Sequence, residues 1–190
     1  MTQKPALSDE ASRALDAYLV VAAQSGDGAA LSQLVRRWHR PLVAHAWRLT
    51  GRLDAAEEVA QTAWIEIMRG LPKLRDERAF PAWAYRIVTR HSAKRVGQFV
   101  AERAAIDSLS VEADVADNEA SPQEVDASRL HRAIATLSPT HRAAVALHYF
   151  EGLSVAEVAV ALDTPTGTIK TRLMHARNQL RSQFKGDDDA

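Results

Sequence analysis

Between Asp54 and Met68 the apolar residues fall at Ala56, Val59, Ala60, Ala63, Trp64, Ile67 and Met68. That i, i+3, i+4 recurrence makes one buried stripe on a helix and does not fit a strand. Glu57, Glu58, Gln61 and Glu66 lie off the stripe and are expected at the surface. Asp54 and Glu57 have the spacing of a capping box, with Asp in place of the usual Ser or Thr, so the helix is expected to open there. Gly70 and Pro72 close it. A stripe of this kind has to be covered by other helices, and composition agrees: Ala outnumbers Val and Ile combined, which favours helix wherever packing leaves a choice. An all-α protein is expected.

At 190 residues the chain has room for about two ordinary domains and not for a large enzyme barrel. Its 46% hydrophobic and 25% charged residues are those of a globular protein rather than a disordered or fibrous one. The absence of Cys excludes disulfides, thiol catalysis and Cys-based zinc sites. No apolar run approaches the roughly 18–20 residues of a membrane helix, and Met1 to Glu10 lacks a basic start followed by an apolar run, so no membrane insertion and a cytoplasmic location are expected.

The formal net charge is zero, but the charges are segregated. Arg69 to Arg103 carries nine basic residues against three acidic ones. Ala104 to Ser128 carries seven acids and no Lys or Arg, and Asp187, Asp188 and Asp189 add an acidic tail. Pro165 to Lys185 carries five basic residues and no acid. Two basic segments separated by an acidic one make two separate polyanion contacts plausible, whatever the overall balance.

Punctuation divides the chain in the same places. Ser8 is expected to cap a first helix running to Ser25, Gly26-Asp27 to stop it and start a second, Pro41 to open a third, and Gly51 to end that one. After the stripe helix, a charged loop from Lys73 to Arg78 leads to a helix beginning near Phe80. Phe80, Trp83, Ala84, Ile87 and His91 form its inward face, with Arg86, Arg90, Lys94 and Arg95 largely to one side. Residues 104–120 read as a flexible acidic linker between a first domain at 1–103 and a second at 121–186, with the acidic tail at 187–190. The second domain opens on Ser121-Pro122-Gln123-Glu124 and repeats the cap-plus-Pro device at Ser138-Pro139. Ser154 with Glu157 is a further capping box. It opens a short helix ending near Leu162, and after a turn at Asp163-Thr164 a last helix runs from about Pro165 to Phe184. Four short helices, the third brief and the fourth basic, outline a helix-turn-helix module.

In the last helix Ile169, Leu173, Ala176, Leu180 and Phe184 share one face. Thr171, Met174, His175 and Asn178 lie opposite, flanked by Lys170, Arg172, Arg177 and Arg181. A recognition helix needs this division, because one face packs on the preceding helix while the other reaches base edges and phosphates.

The run Leu137-Ser138-Pro139, Arg142, Tyr149-Phe150-Glu151-Gly152-Leu153-Ser154, Glu157-Val158-Ala159 and Gly167-Thr168-Ile169-Lys170-Thr171-Arg172-Leu173 resembles region four of RNA polymerase sigma factors of the extracytoplasmic-function (ECF) class. Asp54-Ala55-Ala56-Glu57-Glu58-Val59-Ala60-Gln61-Thr62-Ala63-Trp64, followed by Phe80, Trp83 and Arg86-Ile87, resembles region two of the same class. The order is that of the family, and the resemblance covers about Asp27 to Phe184. It implies a region-two helical bundle and a C-terminal helix-turn-helix domain that together direct promoter-specific initiation, with core RNA polymerase and promoter DNA as partners, an anti-sigma factor as inhibitor, no cofactor, and no catalysis.

The resemblance also implies roles for residues. Asp54, Glu57, Glu58, Gln61 and Glu66 would bind core polymerase. Lys73, Arg75 and Arg78 in the loop, with Tyr85, Arg86, Arg90, Lys94 and Arg95 on the following helix, would meet the minus-10 element. Opening that element requires a base to be unstacked and held by stacking beside a cationic groove; Trp83 is in phase with the core, whereas Tyr85 lies off that face. Thr168, Thr171, His175 and Asn178 would approach minus-35 bases, and Lys170, Arg172 and Arg177 the phosphates. The chain departs from the family pattern at Leu162-Asp163-Thr164-Pro165, where Leu-Gly-apolar-Ser is usual. Asp tolerates a left-handed turn, and Pro165 suits the first helical position behind a Thr164 cap. Two other readings are a sigma-mimicking adaptor that binds an anti-sigma factor without reading DNA, and a stand-alone helix-turn-helix regulator. The seven histidines do not have metal-site spacing, and no nucleophile elbow or phosphate loop is present.

Overall fold

The computed structural model describes residues 6–107, 130 and 132–186, and no strand occurs among them. The expected cap at Ser121-Pro122, most of the 104–120 linker and the 187–190 tail lie outside the described residues. Four helices build the first domain: α1 (Ala6–Gln24), α2 (Gly28–Thr50), α3 (Leu53–Gly70) and α4 (Phe80–Asp107).

Asp27 caps α2 as expected, its carboxylate accepting from the amides of Ala29 at 2.8 Å and Ala30 at 3.1 Å. Gly51 ends the same helix at φ 74°, a left-handed value that suits glycine. Three local expectations are corrected. Ser8 does not cap α1, which already begins at Ala6. Pro41 does not open a separate helix but lies inside α2. An interior Pro costs roughly 3 kcal/mol, and burial on both sides of it offsets that: Leu34 and Leu42 are fully enclosed in one core. Nor do Asp54 and Glu57 form a capping box. Helix α3 starts two residues earlier, at Leu53, with Arg52 in the capping position and no side-chain cap, and Asp54 pairs with Arg52 instead.

The stripe of α3 is buried from Ala56 through Ile67, but Met68 is 46% exposed and does not belong to it. Helix α4 continues through Asp107, past the expected domain boundary at 103. Its Phe80, Ala84, Ile87 and Val88 pack against Leu19, Leu34, Ala63 and Ile67 from the other three helices. Trp38 meets Phe80 and Tyr85 edge-on, at centroid distances of 5.5 and 5.7 Å. Buried Asp16 ties α1 to α2 by accepting from Arg37 at 2.5 Å and from the Trp38 indole at 3.0 Å.

In the second domain Ser138 caps α5 (Pro139–Val145), which widens into a π-turn over Ala146–Phe150. The capping box of Ser154 and Glu157 forms and opens α6 (Val155–Ala161). Asp163 takes the expected left-handed turn at φ 50°. Thr164, however, donates to the Leu162 carbonyl at 2.9 Å, and α7 (Thr166–Gly186) begins with Pro165 as the flanking residue whose carbonyl accepts the first helical bond. Val158, Ile169, Leu173 and Ala176 fill the angle between α6 and α7. The buried apolar residues of both domains form one continuous cluster, and Leu49 at the end of α2 packs with Ala143 and Ala146.

Candidate functional site

Helix α7 divides as its sequence requires. Ile169, Leu173 and Ala176 are buried, and Thr168, Lys170, Thr171, His175, Arg177 and Asn178 are exposed. Arg172 is half-buried and leans back toward the Thr164 hydroxyl at 3.5 Å. Lys170, His175 and Arg177 carry no ion pair among the described residues. A row of unpaired cations and polar side chains on the outer face of a packed second helix fits a major groove, with cations beside phosphates and short polar groups toward bases.

On α3, Asp54, Glu57, Glu58 and Gln61 are exposed and Glu66 is half-buried. The Arg52 guanidinium donates to Asp54 at 2.6 and 3.1 Å, and with the Ala55 amide it draws the Asp54 carboxyl down to about 2. Four of the expected DNA-facing and polymerase-facing residues are paired with one another, Arg90 with Glu66 and Arg95 with Glu58. Arg90 and His91 both donate to Glu66, His91 at 2.9 Å, and Arg90 above all keeps that carboxyl below its ordinary range. Arg95 donates to Glu58 at 3.2 Å and lies 4.0 Å over the Phe99 ring. The two faces expected from the sequence are therefore adjacent rims of one α3–α4 surface. Lys73, Arg75 and Lys94 are exposed with no ion pair among the described residues, and Arg78 is likewise exposed.

Tyr85 is placed differently from the expectation. It is 3% exposed, and its hydroxyl donates to Glu151 of the second domain at 2.7 Å. Burial and the neighbouring Glu151 charge push the phenol well above its ordinary value, so it stays a donor. In this arrangement it has no face for a base. Trp83 packs against Phe80 at 6.2 Å, in line with its core phase. Arg86 is at the surface but is engaged by Asp163 at 2.9 Å. Glu151, Arg48 and Asp163 form contacts that no local sequence signal announces: Arg48 donates to Glu151 at 2.6 Å across 103 positions of chain.

A helical bundle with a cationic rim is thus packed with a helix-turn-helix module whose outer helix presents Lys170, His175 and Arg177 with no ion pair among the described residues. The Sigma-70 region 2 family matches residues 34–97, and the Sigma-70, region 4 family matches residues 127–180. The ECF RNA polymerase sigma factor SigM of Mycobacterium tuberculosis (strain ATCC 25618 / H37Rv) is 36% identical over 166 residues, which cover 87% of this chain and 82% of that one. The ECF RNA polymerase sigma-E factor of Escherichia coli (strain K12) is 31% identical over 184 residues, covering 90% and 94%. Among solved structures, CnrH in complex with the cytosolic domain of CnrY superposes with TM-score 0.71 at 21% identity, covering 91% of this chain and 99% of that one. The sigma factor RpoE of Bartonella quintana, in complex with the anti-sigma factor NepR, gives 0.67 at 24%, covering 82% and 96%. The chain belongs to the ECF sigma factors, which direct promoter-specific transcription initiation with RNA polymerase.

Proposed function

We propose that α7 reads the minus-35 element, with Thr168, Thr171, His175 and Asn178 toward the bases and Lys170, Arg172 and Arg177 on the phosphates. Asp54, Glu57, Glu58, Gln61 and Glu66 on α3 form the core-polymerase contact. Lys73, Arg75, Arg78, Arg86, Arg90, Lys94 and Arg95 meet the minus-10 strands, and Tyr85 joins them only once Glu151 has withdrawn. The observation that carries this reading is the exposed row of Lys170, His175 and Arg177 on α7, opposite the buried Ile169, Leu173 and Ala176. The factor acts in the cytoplasm without catalysis of its own, and among the described residues no helix is long and apolar enough to cross a membrane. An anti-sigma factor holds it inactive; RpoE of Bartonella quintana, which shares its fold, was solved in complex with the anti-sigma factor NepR.

Core-dependent run-off transcription tests the proposal. An initiator starts transcripts at particular promoters when added to core polymerase. Binding to an anti-sigma factor without transcripts would mark a mimic, and a DNA footprint that ignores polymerase would mark a stand-alone regulator.

A further inference from the structure

Met174 is 45% exposed, whereas the other large apolar side chains of α7, Ile169, Leu173, Leu180 and Phe184, are buried or half-buried. At about 100° per residue, Thr171, Met174 and Asn178 fall on one ridge, turned away from the buried line of Ile169, Leu173 and Ala176. Met174 is thus an apolar side chain in the middle of the outer face and not at the edge of the packed one. Thr171 adds to it. Its hydroxyl donates to the Gly167 carbonyl at 3.1 Å, within the helix's own backbone, which leaves the γ-methyl as its free group. Lys170 and Arg177 stand on one shoulder of the ridge, and no acid occurs from Pro165 to Lys185. The ridge therefore joins an apolar centre to a cationic shoulder, a combination that suits a base edge carrying a methyl group beside a phosphate backbone.

We infer that Met174, with the Thr171 methyl beside it, is a specificity-determining contact for a thymine of the minus-35 element, read through the 5-methyl group of that base. The inference rests on the reading of α7 as the minus-35 helix and adds to it the identity of one base. Thymine presents a methyl group in the major groove; cytosine, the other pyrimidine, presents an amino donor that an apolar side chain would leave unpaired. The unbranched, polarizable Met side chain adapts to the position of such a methyl as the helix settles in the groove. From Thr171 to Met174 the helix advances about 4.5 Å, against about 3.4 Å for one base step, so the two side chains meet the same pair or neighbouring pairs. Recognition here is by burial of apolar surface and not by a hydrogen bond. Its strength is that of one buried methyl, about threefold to fourfold in affinity, and it is insensitive to salt, unlike the contacts of the shoulder cations.

The test uses the full chain with core polymerase, and promoters recovered by run-off transcription from a library randomised over the minus-35 element. The parent chain is expected to recover thymine at one or two fixed positions. Met174→Ala, a change at an exposed side chain, is expected to lose that preference, to keep the others and to retain its helical content by circular dichroism. Replacing the preferred thymine by uracil removes the methyl group alone. It is expected to weaken the parent complex about threefold to fourfold across a salt series and to leave the Met174→Ala complex unchanged. Thr171→Ser, which keeps the hydroxyl, is expected to lower the response to uracil at the same position or its neighbour. An element recovered without thymine, a uracil substitution that leaves the parent complex unchanged, or a uracil effect that persists in Met174→Ala would each overturn the inference. Lys170→Ala with Arg172→Ala separates it from the reading on which it rests. Undiminished transcription and salt dependence in that variant would overturn the minus-35 assignment itself, whereas a loss there without any uracil effect would overturn the thymine contact alone.

Discussion

Gly70 ends α3 where the backbone passes under Trp83, and a Cβ added there would lie 2.7 Å from the indole Cζ2. The side chain cannot yield easily, because Trp83 packs against Phe80. Gly70→Ala is therefore expected to destabilise the first domain by about 1–3 kcal/mol, read as a fall in melting temperature. Asp54 is a second single-residue case. Its carboxyl is depressed to about 2 by Arg52, so the stabilising contribution is present above the unfolded value of roughly 3.9 and disappears as pH falls toward the folded value. An NMR titration of Asp54 in the Arg52→Ala variant is expected to give a midpoint raised toward about 4. A midpoint still near the parent value would show that the Ala55 amide alone holds it.

At the scale of one helix, α7 separates its buried residues from those proposed to bind DNA. Replacing Lys170 and Arg172 together by Ala is expected to weaken promoter use and to lower the slope of log affinity against log salt by about two. Ile169→Ala, on the buried face, is expected to cost the second domain about 2–5 kcal/mol instead. A salt series on promoter binding and a thermal melt distinguish the two effects. On α3, Glu57→Lys with Glu58→Lys is expected to reduce affinity for core polymerase in a pull-down while helical content is retained. Glu58 also holds Arg95, so that pair links the rim proposed for polymerase to the rim proposed for DNA.

Over the whole molecule, the buried apolar cluster runs from Leu19 in α1 to Ala176 in α7 without a break between domains. Domains that share buried surface unfold together when that surface outweighs the freedom gained by separation. Calorimetry is accordingly expected to show one transition for the parent chain. Two transitions in the parent would mean that the shared surface does not couple the domains.

The sequence by itself determined the helices and their inner faces, because periodicity and caps act over three or four residues. The Ser154–Glu157 box, the Asp27 cap and the buried Ile169–Leu173–Ala176 face of α7 were all legible that way. The same local signals misplaced Pro41 and Met68. Burial of the flanking residues keeps Pro41 inside α2, and the packing of neighbouring helices stops short of Met68. Which charges face solvent was decided only by the tertiary structure. Tyr85 and Arg86 looked like open neighbours of a cationic patch, yet their partners Glu151 and Asp163 come from positions 66 and 77 residues away. A pairing across that distance depends on how two packed modules dock, and no spacing rule along the chain carries that information.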